Sequence, residues 1–396
     1  MSSHASAEGF VEDAEARLSL RNYFINRDFV HNPDQSKAQA WTQAFMFDAS
    51  SGFTQGVVGF GVDVRGLFAV KLDGGRGTGG TDLLPIHDDG RQADDFGRLA
   101  VAAKARISDT EFKAGEWVPQ IPVLYADEYG RSLPQTFKGA QVTSKELDGL
   151  TLMGGQFTQT SQRDDASMED MPAFGVTSDQ FSFAAGEYSF NQDRSLIGLW
   201  HAELKDIYSQ EYVQYKHSQE VGAWTLSSSL GWYTGREDGS AKAGDLKNNT
   251  YSGFFSANLG QHTFYLGLQK VDGKSDWMNV DVTSSEGQYL ANHTYSSKFD
   301  AAGERSVQLR YDYYCREGWV PGAFFMGRYV KGDGVNAGLD SDGEEWVREL
   351  EVGYMFQSGP LKDLAVRWRN NTVRRDWMDY DFNENRIIVT YPLSLL

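Results

Sequence analysis

The stretch LAVRWRNNTVRRDW, residues 364–377, alternates two kinds of side chain. Leu364, Val366 and Trp368 share one parity, while Arg367 and Arg369 take the other. Successive side chains of a β-strand point to opposite faces, so this stretch reads as a strand with one apolar and one cationic face. A soluble sandwich would pack the apolar face into a core and turn the arginines to water. A membrane barrel would turn the apolar face to lipid and leave the arginines to line an aqueous interior. The stretch admits both readings, and the rest of the chain has to decide.

The same period of two recurs throughout. In 57–75, Val58, Phe60, Val62, Val64, Phe68, Val70 and Leu72 oppose Gly59, Gly61, Asp63, Arg65 and Lys71. Trp224, Leu226, Leu230 and Trp232 oppose Thr225, Ser227, Ser229 and Gly231. Near the C-terminus Trp346, Leu350, Val352, Tyr354 and Phe356 oppose Glu349 and Glu351. Such runs are about ten residues long, the length a tilted strand needs to cross a bilayer. Polar connections such as 236–249 alternate with tight ones such as 259–262. Long loops at one end and short turns at the other are the pattern of outer-membrane barrels. Number, length and connection of the strands therefore favour the barrel. No fixed-period repeat and no linker divides the chain, so a single domain is expected over 8–396.

Bulk properties narrow the class. The 396 residues carry a formal net charge of −18, with mean hydropathy −0.49 and no long apolar run, which excludes spanning helices. Aromatics at 13%, with 42 glycines and only 9 prolines, suit many long strands. The single cysteine, Cys315, rules out an internal disulfide framework and a thiolate zinc site. The acidic balance speaks against a nucleic-acid partner. Ala5-Ser6-Ala7 has the small-x-small pattern of a signal-peptidase site, so residues 1–7 read as a signal-peptide remnant or an expression start. No cofactor motif is found. GGRGTGG (74–80) lacks the lysine–serine end of a phosphate loop and reads as a flexible extracellular loop. His87 and His201 come without a nucleophile elbow. His201, opposite Trp200 in parity, is expected to face the lumen.

Residues 115–139 break the alternation. They hold Pro119, Pro122 and Pro134, and proline cannot donate to a sheet ladder. A long structured loop follows, apolar enough to require packing. In a wide barrel the place available is the lumen, which the loop would narrow.

Three blocks, 88–108, 122–142 and 359–393, together with 9–29, resemble the OprD or Occ substrate-specific porins of Pseudomonas and its relatives. The resemblance runs end to end and is nearer the OccK branch than the OccD branch. It implies an all-β transmembrane antiparallel barrel of about 18 strands with an inward-folded constriction loop, as a monomer or loose homotrimer. It also implies a ladder of basic residues that guides carboxylates through a narrow eyelet. On the matching positions the rungs are Arg27, Lys331, Arg367, Arg369 and Arg386. Arg131 and Arg163 match the eyelet, with Asp127 as its acidic partner. Parity agrees on two further strands: Arg21 and Arg27 oppose Leu18, Leu20 and Phe24, and Arg386 opposes Ile387, Val389 and Tyr391. The chain ends in Leu395-Leu396, where the resemblance leads one to expect an aromatic residue.

The function expected is passive uptake of small carboxylates, aromatic or other monocarboxylic acids, across the outer membrane, without cofactor or metal. The partners expected are those solutes, the membrane lipid and lipopolysaccharide. A channel of the same family for basic amino acids or small peptides is the first alternative. A barrel hydrolase and a soluble β-rich binding protein are the others.

Overall fold

The computed structural model describes residues 9–30, 32–281, 290–336, 338 and 342–396. The expected leader, 1–7, lies outside the described residues. Among the described residues twenty-two strands follow one another along the chain. The first nine are β1 (Glu15–Val30), β2 (Lys37–Ser50), β3 (Gly59–Asp73), β4 (Asp95–Ile107), β5 (Thr110–Trp117), β6 (Gln120–Ile121), β7 (Leu124–Tyr125), β8 (Thr136–Leu147) and β9 (Leu150–Ser161). Then come β10 (Met171–Ala173), β11 (Val176–Ser178), β12 (Phe181–Phe190), β13 (Ser195–Leu204), β14 (Tyr208–Val221), β15 (Trp224–Glu237), β16 (Lys247–Leu259) and β17 (His262–Gly273). The last are β18 (Arg305–Tyr314), β19 (Ala323–Val335), β20 (Gly343–Met355), β21 (Ala365–Arg375) and β22 (Asp381–Ser394). Eighteen of them form one antiparallel sheet, which closes where β1 pairs with β22. β6–β7 and β10–β11 are short ribbons within loops. Closure satisfies every strand edge, the condition for a sheet to sit in hydrocarbon.

Side-chain exposure settles the facing of the opening stretch. Val366 and Trp368 are exposed on the outside of the wall, Arg369 is buried inside, and Arg367 is half-buried inside. The same holds around the barrel, where Phe60, Phe68, Leu99, Leu230 and Leu309 form an apolar exterior. Indoles anchor this band: Trp41 donates to Asn22 at 2.8 Å, Trp368 to Asn385 at 3.2 Å and Trp232 to Asn249 at 3.3 Å. Tryptophans with apolar rings and satisfied N–H groups suit a membrane interface.

The longer loops (74–94, 118–135, 162–180, 274–304) all leave from one end of the barrel. The other end has connections as short as 108–109, 148–149, 222–223 and 260–261. By the usual asymmetry of such barrels the long-loop end is extracellular. GGRGTGG lies at that end. The constriction loop is shorter than its sequence suggested: 115–117 close β5 and 136–139 open β8, leaving 118–135. It does fold inward. Ile121, Val123, Leu124 and Ala126 are buried against Phe157, Phe183, Trp200 and Tyr233 of the wall. Leu133 joins Leu83 and Leu84 of loop 74–94 against Tyr23, Ile25 and Leu67.

This packing overturns one parity assignment. Trp200 is buried inward against the loops, and His201 stands exposed outside, 2.7 Å from Glu211. Where loops rather than water fill the lumen, an inward side chain can be apolar as well, as Trp200 is while Leu199 beside it stays exposed outside.

Arg21 holds the constriction loop in place. Its Nη1 donates to the carbonyls of Arg131 at 2.6 Å and Glu128 at 3.1 Å. Tyr23 donates to the Gly130 carbonyl at 3.0 Å. Hydrogen bonds from a charged donor are worth about 1.5–3 kcal/mol each. Arg21→Ala is therefore expected to leave the barrel assembled while freeing loop 118–135. Limited proteolysis of the reconstituted protein should cut within that loop, where the unaltered protein resists.

Candidate functional site: the basic wall and its two vestibules

Strand register stacks the ladder into rows. One row runs Arg27, Glu384, Asn371, Glu349, Arg328 across β1, β22, β21, β20 and β19. The next, one step toward the periplasmic end, runs Ile25, Arg386, Arg369, Glu351, Met326. Below it come Tyr23, Ile388, Arg367, Gly353 and Phe324. All of these side chains point inward.

The acids neutralise most of the arginines. Arg27 grips Glu384 through Nε and Nη2, each at 2.8 Å, and donates to the Tyr380 hydroxyl at 2.8 Å. Arg386 contacts the other Glu384 oxygen at 2.5 Å. Arg369 pairs with Glu351, and Arg328 with Glu349. Tyr295 of loop 274–304 lies over this wall. Its ring centre is 3.6 Å from the Arg369 guanidinium and 5.0 Å from that of Arg328, and its carbonyl accepts from Arg386 at 3.0 Å. Such stacking is favourable for a guanidinium. Arg386 and Arg369 are thus buried beneath Tyr295 and held in ion pairs.

Two cavities lie along the axis on either side of this covered zone. The outer one, about 410 Å3, is lined by Arg27, Arg131, Arg163 and Arg375, with Asp82, Asp300 and Glu345 among them. Tyr295, Trp377 and Tyr380 supply aromatic walls. The inner one, about 750 Å3, is lined by Arg17, Arg21, Arg65 and Lys113 with Asp48, Asp63 and Glu128. Along β1, Arg27 borders the outer cavity and Arg21 the inner, so the constriction lies at Tyr23 and Ile25. Tyr23 there bridges the Gly130 carbonyl and Arg386, at 3.0 and 3.3 Å.

The expected site residues divide accordingly. Arg27, Arg131 and Arg163 border the outer cavity. Arg367 is inward and half-buried, 3.9 Å from Glu351, with its guanidinium 5.5 Å from the centre of the Phe324 ring. Lys331 is not a rung. It shares the outward parity of exposed Tyr329 and pairs with Glu344 at 3.1 Å on the outer surface. The inward cation of that strand is Arg328, three residues earlier, which the resemblance did not single out. The acid between Arg131 and Arg163 is Asp82, from loop 74–94. Asp127 instead accepts the backbone N–H of Tyr129 at 2.9 Å. Glu384, Glu349 and Glu351 were legible as inward acids by parity, but Asp82 had no signal in its own neighbourhood.

Electrostatics in the loops follow burial. Burial would raise the Asp82 carboxyl, but Arg163, Arg131 and Arg27 outweigh it and hold it below the usual carboxylate range. Burial, helped by Arg163 and Arg386, pulls Arg131 down to about 10. Burial pushes Asp300 up to about 6, with Lys298 opposing and Asp276 and Glu345 adding to the rise.

A closed, lipid-facing wall around a charged, loop-narrowed axis defines a diffusion channel of the outer membrane. The outer membrane porin model of the OprD family matches residues 8–395. The chain belongs to the OprD family. It is 57% identical to a BenF-like porin from Pseudomonas fluorescens Pf-5, whose crystal structure superposes with TM-score 0.95, covering 98% of this chain and 100% of that one. OccK2 (OpdF) of Pseudomonas aeruginosa, solved in complex with glucuronate, is 54% identical at TM-score 0.89 over 99% of both chains. OpdK of the same organism, solved with vanillate, is 46% identical at TM-score 0.91 over 98% and 100%.

Two outcomes follow. Glu384→Gln leaves Arg27 and Arg386 facing each other without their shared acid. Losing one partner of a buried pair costs roughly 3–5 kcal/mol, so the barrel should unfold at clearly lower denaturant, read by the mobility shift of heated and unheated protein. Asp300 favours its neutral form, so its contribution to loop packing is present at low pH and lost as pH rises through about 6. Hydrogen exchange in 290–304, corrected for the intrinsic rate, should quicken across that range, and Asp300→Asn should flatten the change.

Proposed function

We propose that this channel takes up small monocarboxylates, aromatic acids among them, and that the carboxylate is received in the outer vestibule by Arg131 and Arg163. One observation carries the reading. Arg163 is buried beside the cavity, and among the described residues its Nε and Nη1 have no hydrogen-bond partner. Buried donors are nearly always satisfied, so these two call for an acceptor. A carboxylate has the paired oxygens that fit a guanidinium. Tyr380 and Trp377 give a planar ring somewhere to rest, and about 410 Å3 holds a single small acid rather than a chain of residues. Glucuronate on OccK2 and vanillate on OpdK are both carboxylates, which supports the class without choosing its member.

Passage needs binding that is weak and repeated. Beyond the constriction, Arg21, Arg65 and Lys113 offer further cations, each already partnered. An acid can be handed from one to the next without a deep trap.

The test is block of single-channel current by vanillate in planar bilayers. One charge-assisted hydrogen bond lost, at about 1.5–3 kcal/mol, corresponds to roughly ten- to hundredfold weaker block for Arg163→Ala. Block unaffected by Arg163→Ala, or liposome uptake that prefers arginine over vanillate, would replace this reading with the basic amino-acid alternative.

A further inference from the structure

The glycine-rich segment 74–80 leads directly into the site. Gly77 and Gly80 adopt φ of +76° and +91°, a region where a Cβ is poorly tolerated. After them the chain drops into the lumen, pinned by Leu83 and Leu84, which are fully buried. Between glycines and leucines, three consecutive residues present three acceptors to three arginines. The Gly80 carbonyl lies 3.5 Å from Arg27 Nη1. The Thr81 carbonyl accepts from Arg131 Nε at 2.8 Å. The Asp82 carboxylate pairs with Arg163 and lies 3.5 Å from Arg131 Nη2.

The burial of the partners is unequal. Arg131 and Arg163 are 4% and 7% exposed in their side chains, whereas that of Asp82 is 37% exposed. The acid is thus the open member of the cluster, on the cavity side. A solute carboxylate arriving in the outer vestibule meets Asp82 before it can take both arginines.

We propose that Asp82 is a resident carboxylate, occupying the Arg131–Arg163 site in the resting channel and competing with the solute for it. The proposal rests on the carboxylate reading above. Entry of the solute loosens the Asp82 pair, and return of Asp82 to the guanidinium helps expel the solute. The internal competitor lowers affinity and shortens residence, which is what a channel requires of its tightest site. It also keeps the empty vestibule from holding uncompensated cations side by side.

Asp82→Asn is a clean probe. Asp82 has φ of +55°, and asparagine tolerates that region as well as aspartate does. The amide keeps the size and removes the charge. In planar bilayers the dwell time of vanillate block should lengthen roughly tenfold, the loss of one charged competitor. Permeability should shift toward anions over cations. Saturating vanillate flux into proteoliposomes should fall, because release becomes slower. Asp82→Ser, equally uncharged, makes the same test if the amide variant fails to assemble. Asp94→Asn serves as the control: this acid belongs to the same loop, is highly exposed and pairs only with Lys71 among the described contacts, and dwell time should not move.

A dwell time in the Asp82 variants equal to or shorter than that of the unaltered channel overturns the proposal. If Arg163→Ala still weakens block in that case, the solute uses the arginines and Asp82 does not compete for them. If Arg163→Ala is also without effect, the carboxylate reading itself fails.

Discussion

An arginine turned toward hydrocarbon costs roughly 2–4 kcal/mol at the bilayer midplane. That cost fixes the orientation of β21, and through the register of β21 it fixes much of the wall. With Trp368 outside, Arg367 and Arg369 must be inside. Pairing then places Arg386 opposite Arg369 and Glu351 beside it, on the same face. A slip of one residue would turn every one of these charges to lipid. The aqueous interior is therefore as much a condition of folding as of transport, since it is where the strands can put their charge.

Concentrating arginines inside creates a second constraint. Arg369 and Arg386 are direct cross-strand neighbours, an arrangement that repels. The fold answers with Glu384, Glu351 and Glu349 from adjacent positions and with the Tyr295 ring laid over the cluster. Pairs this buried do little to stabilise the barrel relative to an apolar packing, although breaking one would be costly. Their use is positional. They make a rigid electropositive wall whose members at the vestibule edges, Arg27 among them, border the cavities.

Much of this was legible in the sequence, for a physical reason. Alternation is forced wherever one face meets lipid and the other meets water, as in β1, β21 and β22, and there the inward arginines could be read by counting. Legibility ended where a third environment entered. Trp200 faces inward because loop 118–135 makes the lumen apolar there, which period two cannot reveal. Lys331 sits close enough to the extracellular rim for an outward cation to reach its partner Glu344 at the surface. Asp82 joins Arg163 across 81 residues, a contact created only when two loops fold into the same lumen.

Those loops are held in two different ways, and the difference bears on how the pore works. Loop 118–135 is anchored through its backbone: Arg21 and Tyr23 bind the carbonyls of Glu128, Gly130 and Arg131, and Tyr233 binds that of Pro122. Carbonyl contacts do not depend on which side chains the loop carries, and they add to the apolar packing of Ile121, Val123, Leu124 and Ala126 against the wall. The 80–82 segment reaches the site with two carbonyls and one carboxylate. The carbonyls fix the path of the chain, and the carboxylate alone carries a charge that a solute can replace. A constriction held through Arg21 and a site of exchangeable charge held by Arg131 and Arg163 can thus divide the work, one setting the size of what passes and the other how long it stays.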